Sequence, residues 1–335
     1  MALGMLGVLW TVGPGLAQTS PTALAELSLE ELIQVEIIVD GSMEDRPAPP
    51  PWTVAYRYVQ RSFDEYRKGT DAASFAEILD LFPVVPTTIR QEAHLLELTR
   101  RTHGRAQLSL LVPFIRQTTD HIRRTGAPFT LESQGIGAPL LSVTARPWQW
   151  GPQLLHLSVG VSLPLGSIDE TGPTPRGPGT QLPYTMQIGS GTYDLETSLT
   201  LSRRRGRHGL GARLFSEIHL GRNDHDYSLG DRWLLSGWWR GHFESRWQPS
   251  FEVHVERWSR IDGFDAALDP NIAPVADANF FGGRRIDAVA GLRYALDPSD
   301  RHTVEITVGV PLYQSLHGPQ PERDWEISGG WQLHF

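Results

Sequence analysis

Taken with a period of two, most of the chain separates into an oily face and a wet face. The clearest segment is Leu155 to Leu165. Leu155, Leu157, Val159, Val161, Leu163 and Leu165 fall on one side, with His156, Ser158, Gly160 and Ser162 on the other. A helix would spread those apolar residues around its circumference, whereas a strand gathers them on one face. The carboxy-terminal stretch repeats the pattern. Trp325, Ile327, Gly329, Trp331, Leu333 and Phe335 oppose Glu326, Ser328, Gly330, Gln332 and His334, and the final residue is aromatic.

The same alternation recurs from Trp52 onward. Val54, Tyr56 and Tyr58 oppose Thr53, Ala55 and Arg57; Leu108, Leu110, Val112 and Phe114 oppose Gln107 and Ser109. Further segments are expected at Ile89–Arg100, Gly135–Ala145, Tyr184–Leu201, Leu210–Leu220, from Trp233, from Phe251, from Ile286 and from Val304. Long connections are expected at Ser62–Thr88, with a helix around Ala73–Leu81, and at Arg116–Ser133, Gly166–Pro183, Gly221–Asp231 and Ile261–Gly283. Short turns are expected at Thr102–Gly104, Arg146–Pro152, Ser202–His208, Trp247–Pro249 and Asp297–Asp300, and Ser315–Arg323 leads into the last strand. About twelve strands result, an even number, and long connections alternate with short ones. A soluble sandwich has no reason to sort its connections in this way. The pattern predicts an all-β fold: a transmembrane antiparallel up-and-down β-barrel in the bacterial outer membrane, with both termini periplasmic.

Composition sharpens this reading. The 335 residues include no Cys, which excludes disulfides and thiol chemistry. Mean hydropathy is −0.27, a value that polar lumen residues produce in a barrel even when its outer face is apolar. The net charge of −8 argues against nucleic acid as a partner. Residues 1–17 read as a signal peptide, with an apolar core at Leu3–Val12 and small residues in Gly15-Leu16-Ala17, although no Lys or Arg precedes the core. Residues 18–51 read as a periplasmic leader and linker. Within them Leu27–Val39 carries Ser28 and Glu31 at capping-box spacing, and Gly41–Pro51 is proline-rich. The Leu27–Val39 stretch resembles the short leader that follows the signal in many TonB-dependent receptors. Residues 52–335 form the expected barrel.

Three stretches carry a family resemblance: Leu182–Leu195, Leu163–Asp169 and Gly230-Asp231-Arg232. They resemble the outer-membrane transporter family of the meta-pathway phenol-degradation type, over roughly Trp52 to Phe335. The resemblance implies a barrel that takes up small aromatic compounds. It assigns no binding residue.

The wet faces place Asp194, Glu196, Arg213, Glu217, Arg240, His242, Glu252, His254, Glu256, Asp287 and Arg293 as candidates to line the lumen. Charges in a confined space must be paired or solvated, so the set reads both as a selective pathway and as a lattice of ion pairs. Glu252, His254 and Glu256 alternate along one strand, about 7 Å apart, too widely for all three to hold one ion. Asn223–Asp226 could bind a hard cation at a loop tip, but such a run is more often a solvated turn. No metal and no cofactor is predicted. No Gly-x-Ser-x-Gly elbow is present, and His156 and Ser158 share the lumen face rather than the outer wall. The expected function is therefore non-enzymatic: a channel or transporter for a small solute, an aromatic or other organic compound. A closed barrel anchoring a partner through its leader or loops is the alternative, and an interfacial lipid hydrolase a weaker one. The expected partners are outer-membrane lipid, the solute and the barrel-insertion machinery, for which Phe335 is the assembly signal.

Overall fold

The computed structural model describes residues 51–102, 106–243 and 246–335. The expected signal and leader lie outside the described residues, as does most of the Thr102–Gly104 turn.

The wall is one closed antiparallel sheet. Its strands in chain order are β1 (Trp52–Gly69), β3 (Val84–Arg101), β4 (Ala106–Arg123), β6 (Leu140–Trp150), β7 (Gln153–Ser162), β10 (Tyr193–Arg205), β11 (His208–Leu220), β13 (Arg232–Gly241), β14 (Trp247–Trp258), β16 (Gly283–Ala295) and β17 (His302–His334). Each pairs with its neighbour in this order, and β17 pairs back to β1 to close the ring. The last element is 33 residues long and folds back on itself. Its first half pairs with β16 and its second half with β1. His334 N donates to Arg301 O, and the Thr307 and Ser328 hydroxyls bond at 2.8 Å across the fold. These eleven elements therefore supply twelve crossings. At the seam, Trp52 and Phe335 exchange backbone hydrogen bonds of 3.1 and 2.9 Å.

The alternation has the physical cause expected of it. Outward residues form an exposed apolar belt that includes Leu96, Leu110, Leu141, Val159, Leu199, Leu235, Val308 and Val310. Inward residues on the same strands are buried and polar, among them Arg57, Ser198, Ser236, Asp287 and Ser328. A water-soluble protein would not leave so continuous an apolar surface bare.

Strand boundaries differ from the sequence expectation at one end of the barrel. β1 runs on to Gly69 and β4 to Arg123, through stretches expected to be loop. There β4 pairs with an extra strand, β5 (Pro128–Ile136), which continues into β6 after a break at Gly137–Pro139. The span expected at Gly135–Ala145 is thus shifted to Leu140–Trp150, the Trp247–Pro249 turn is the start of β14, and Ser315–Arg323 is strand. At these rims the side chains that face away from the interior turn polar, Arg116, Thr118 and Asp120 of β4 among them. Both of their faces meet polar surroundings, so the two-residue contrast fades while the pairing continues.

The long connections lie together at that end. After β1 come β2 (Asp71–Ala73) and helix α1 (Phe75–Leu81), whose capping box joins Ser74 and Glu77 reciprocally at 2.8 and 3.3 Å. Between β7 and β10 lie β8 (Thr171–Thr174) and β9 (Gly177–Gln181), then a 3-10 turn at Tyr184–Met186 where strand was expected. Short strands β12 (Tyr227–Ser228) and β15 (Asp262–Gly263) pair two further loops. The loops bury a core of their own, with Tyr184, Tyr227, Ile261, Ala278 and Phe281 in one cluster and Tyr66, Ile78, Phe82 and Val85 in another. They form a packed cap over one mouth of the barrel.

Candidate functional site

Beneath the cap, among the described residues, lie cavities of about 120 and 110 Å³. Their walls differ in kind. The first is lined by β11, β13, β14, β16 and β17 together with Arg57 and Arg61 of β1, and it is densely charged. The second is lined by β1, β3, β4, β6, β7 and β10 with Arg213, Phe215, Gln332 and His334. Its side chains mix hydroxyls (Thr99, Ser109, Ser142, Thr144, Ser158, Ser198) and leucines (Leu95, Leu111, Leu140) with the charged Glu97, Arg101 and Glu196.

The charged wall has two tiers. The upper tier is a ladder of short ion pairs that crosses strand after strand. Arg232 meets Glu256; Glu256 meets Arg285 at 2.6 Å; Arg285 meets Asp287 at 2.9 Å; Asp287 meets Arg323 at 2.5 Å; Glu326 accepts from Arg323 at 3.3 Å and from Arg61 at 2.6 Å. Burying these charges is tolerable because each carboxylate is held by a guanidinium. The lower tier is looser. Arg57 and Arg240 both approach Glu305, at 3.9 and 3.8 Å, and Glu252 pairs with His254 at 3.2 Å. Arg213 and Arg293 complete it.

Arg57 and Arg213 border both cavities. They stand on β1 and β11, which five crossings separate in either direction around the ring: β3, β4, β6, β7 and β10 one way, and β13, β14, β16 and the two passes of β17 the other. The arginines therefore reach in from opposite walls and mark the boundary between the halves. Arg213 also lies over the Phe215 ring, 5.0 Å from its centroid.

Above the second cavity, the β7–β10 connection folds inward. Gln117 Nε2 of β4 donates to Gln187 O at 3.0 Å, and the Thr119 hydroxyl contacts Met186 Sδ at 2.9 Å. Leu131, Leu182 and Met186 form a buried cluster with Phe129 packed against it. At the neck of this loop two backbones touch: a Cβ on Gly189 would lie 2.8 Å from Gly166 Cα, so only glycine fits. The inward loop is part of the stretch on which the family resemblance rests. Sequence reasoning expected a long connection at Gly166–Pro183 but not its inward course.

Of the candidate lining residues, Glu196, Arg213, Arg240, Glu252, His254, Glu256, Asp287 and Arg293 border a cavity. His242 is buried at the short-turn end, with no contact to either cavity. Asp194 and Glu217 sit higher, in a buried cluster with His219, their ligand-type atoms within 4.8 Å of one another. The β10–β11 register makes this cluster, setting Asp194 opposite His219 and Glu196 opposite Glu217. Asp194 accepts from Ser190 and Thr192 at 2.8 and 2.5 Å, and Glu217 faces Arg232 at 3.9 Å. Glu256 turns away from the Glu252–His254 pair to hold Arg232 and Arg285, so the three do not converge. Sequence reasoning also missed Arg285 and Arg323; neither neighbours an obvious motif, and only the cross-strand register reveals their role.

In the cap, His225 bridges two other loops. Its Nδ1 lies 2.8 Å from Asp265 Oδ2 and its Nε2 lies 2.8 Å from Asp169 Oδ1. Burial opposes the charge on this imidazole, but the two carboxylates together outweigh it and raise its pKa. The Asn223–Asp226 run thus supplies a clasp between loops. Nearby, the Tyr184 hydroxyl accepts from Asp265 N at 2.8 Å, and burial pushes its pKa up to about 12.

No family model and no curated protein sequence matches the chain. Its fold is similar to that of an outer membrane channel from Pseudomonas putida F1, with a TM-score of 0.63 and 11% identity over 88% of this chain and 99% of that one. Weaker likenesses include the KdgM porin, with a TM-score of 0.43 and 10% identity over 84% of this chain and 99% of that one. Another is the Ralstonia pickettii toluene transporter TbuX, with a TM-score of 0.42 and 8% identity over 86% and 90%. At 11% identity the first of these likenesses establishes the fold alone, an outer-membrane β-barrel.

Proposed function

We propose that this chain is an outer-membrane channel or transporter for a small solute, with its short turns and both chain termini in the periplasm and its cap facing outward. One observation carries the reading. An apolar outer belt encloses polar cavities bordered by arginines, glutamates and hydroxyls, an interior suited to a hydrated solute. The resemblance to the meta-pathway phenol-degradation family suggests a small organic, aromatic solute. Phe335, closing the seam with Trp52, is proposed as the signal for the barrel-insertion machinery.

A closed anchoring barrel is the second reading, favoured by the inward loop and the packed cap. Steady current in a planar bilayer separates the two: the channel reading expects it, and a silent, folded protein overturns it. Arg240→Glu should shift the reversal potential in a salt gradient toward cations, because Arg240 borders the larger cavity. The hydrolase reading gains no support from the inner wall, where the Ser158 hydroxyl accepts from Thr144 at 3.0 Å.

A further inference from the structure

We propose that the outer wall at the short-turn end of β10 is a binding site for the headgroup of an anionic glycerophospholipid. The inference is separate from the question of conduction, and it gives the lipid partner a chemical class and a place on the wall.

The turn between β10 and β11 is the most basic stretch of the chain, with Arg203, Arg204, Arg205 and Arg207. The two strands pair to their last residues, Arg205 opposite His208, so alternation still holds at the turn. Leu199 and Leu201 face outward, which puts Arg203 and Arg205 on that same face, both exposed.

Register sets Arg203 in an aromatic row. Around the outside of the wall, Trp150 pairs with Gln153, Gln153 with Arg203, Arg203 with Leu210, and Leu210 with Trp239. Trp148 and Trp150 are exposed and stacked, their ring centroids 6.2 Å apart and their planes 3° apart. Trp239 donates to His208 Nδ1 at 3.1 Å. The next outward row, Trp148, Leu155, Leu201 and Ala212, is apolar. Tryptophans in such a row mark the depth at which headgroups meet acyl chains. Arg203 therefore stands at the depth of lipid phosphates, and Arg205 one pleat nearer to water.

The protein does not answer this charge. β6, β7 and β13 contain no acidic residue, and Asp194, Glu196 and Glu217 of β10 and β11 are buried at the far end of the strands. Among the described residues, Arg203 and Arg205 make no ion pair. Three exposed arginines at the cap end do: Arg116 with Glu132 at 3.7 Å, Arg176 with Asp269 at 3.7 Å and Arg222 with Asp262 at 3.0 Å. A guanidinium fork fits a phosphate with paired charge-assisted hydrogen bonds, and clustered cations at a bilayer surface attract anionic lipid. A zwitterionic headgroup would bring its own ammonium against the basic turn. A soluble phosphate would leave the tryptophans and leucines unused. With the short turns in the periplasm, the leaflet concerned is the periplasmic one, and that assignment rests on the orientation proposed above.

Native mass spectrometry of the folded barrel in non-ionic detergent tests the site, with phosphatidylglycerol and phosphatidylcholine of the same acyl chains as probes. The wild type should bind phosphatidylglycerol more tightly than phosphatidylcholine. Arg203→Gln combined with Arg205→Gln should weaken phosphatidylglycerol about 25-fold, roughly fivefold for each cation lost at a lipid surface, and leave phosphatidylcholine unchanged. Arg203→Lys combined with Arg205→Lys, which keeps the charge without the fork, should fall between. Arg204→Gln, on the opposite face of the strand, should behave as the wild type. Equal binding of the two lipids by the wild type, which needs no variant, would overturn the proposal. So would unchanged phosphatidylglycerol affinity in the double Arg→Gln variant, and either result would leave a conducting channel intact. Displacement by an equal concentration of glycerol phosphate would assign the site to a soluble anion and overturn it. Tighter binding of lipid A, the phosphorylated glycolipid of the opposite leaflet, would overturn the phospholipid assignment and the orientation together. Phosphatidylglycerol binding as expected, in a protein that passes no current, would uphold the site and overturn only the channel reading.

Discussion

The two halves of the barrel interior meet the same demand by different chemistry. Every inward polar group must find a partner. On the β11–β17 side the partners are ions. A ladder from Arg232 to Arg61 ties five neighbouring elements together, and little in it depends on the loops. On the β3–β10 side the partners are short hydroxyl pairs below and an inserted loop above, joined through Gln117 and Gln187. Ion pairs stiffen a wall but fill it with charge. Hydroxyls leave a wall that an apolar body can lie against. The first cavity is therefore walled mainly by charge, whereas the second sets hydroxyl and apolar surface among fewer charges, Glu97, Arg101 and Glu196.

The largest expected effect falls on the ionic half. Arg285 is 1% exposed and contacts both Glu256 and Asp287, so Arg285→Met would strip a guanidinium from each of two buried carboxylates, leaving Arg232 beside the first and Arg323 beside the second. A loss of about 3–5 kcal/mol is expected, read from denaturant unfolding of the folded barrel in detergent. A loss below about 1 kcal/mol would show that the ladder is not what holds this wall. The outer surface, common to both halves, comes next. Val159→Arg, near the middle of β7 and facing outward, should cost about 2–4 kcal/mol in the same assay, the penalty for a cation in the bilayer. A neutral result would place that face in water.

The cap should respond to pH. Both His225 ring nitrogens lie against carboxylate oxygens, so both bonds require the protonated ring. Its pKa is raised in the folded state, so the clasp's contribution is complete below the free-imidazole value of about 6.5. The contribution is lost as pH rises through the raised value. Trypsin should therefore cut the cap, at Arg222 or Arg260, faster on the alkaline side, and His225→Gln should abolish that dependence. A pH-independent cutting rate, once corrected for the protease itself, would remove the clasp from the account. The smallest effect belongs to the hydroxyl half: Thr144→Val should cost about 1 kcal/mol, the net worth of one neutral hydrogen bond. A cost as large as that of Arg285→Met would erase the contrast between the halves.

Much of the barrel was legible in the sequence because lipid and water impose opposite demands on neighbouring residues. Segments such as Leu155–Ser162, whose faces see different media, announce themselves. Arg116–Asp120 did not, because that part of β4 rises into the polar rim while still pairing with β5. The inward course of the β7–β10 loop was hidden for another reason. Its Gly and Pro content marks irregular backbone but not the direction in which that backbone turns. The site was legible as a set of charges and not as a geometry. Which arginine faces which carboxylate depends on cross-strand register, and alternation alone fixes a residue's face but not its partner.

The central claim is that adjacent residues of one strand lie in lipid and in an aqueous lumen. The chain has no cysteine, so a single introduced thiol can be labelled cleanly. Spin labels at Val159→Cys and Ser158→Cys, in protein reconstituted into lipid vesicles, test it directly. The label at 159 should collide with dissolved oxygen and be shielded from a water-soluble nickel complex. The label at 158 should show the reverse. Equal accessibility of the two positions to both reagents would contradict the account.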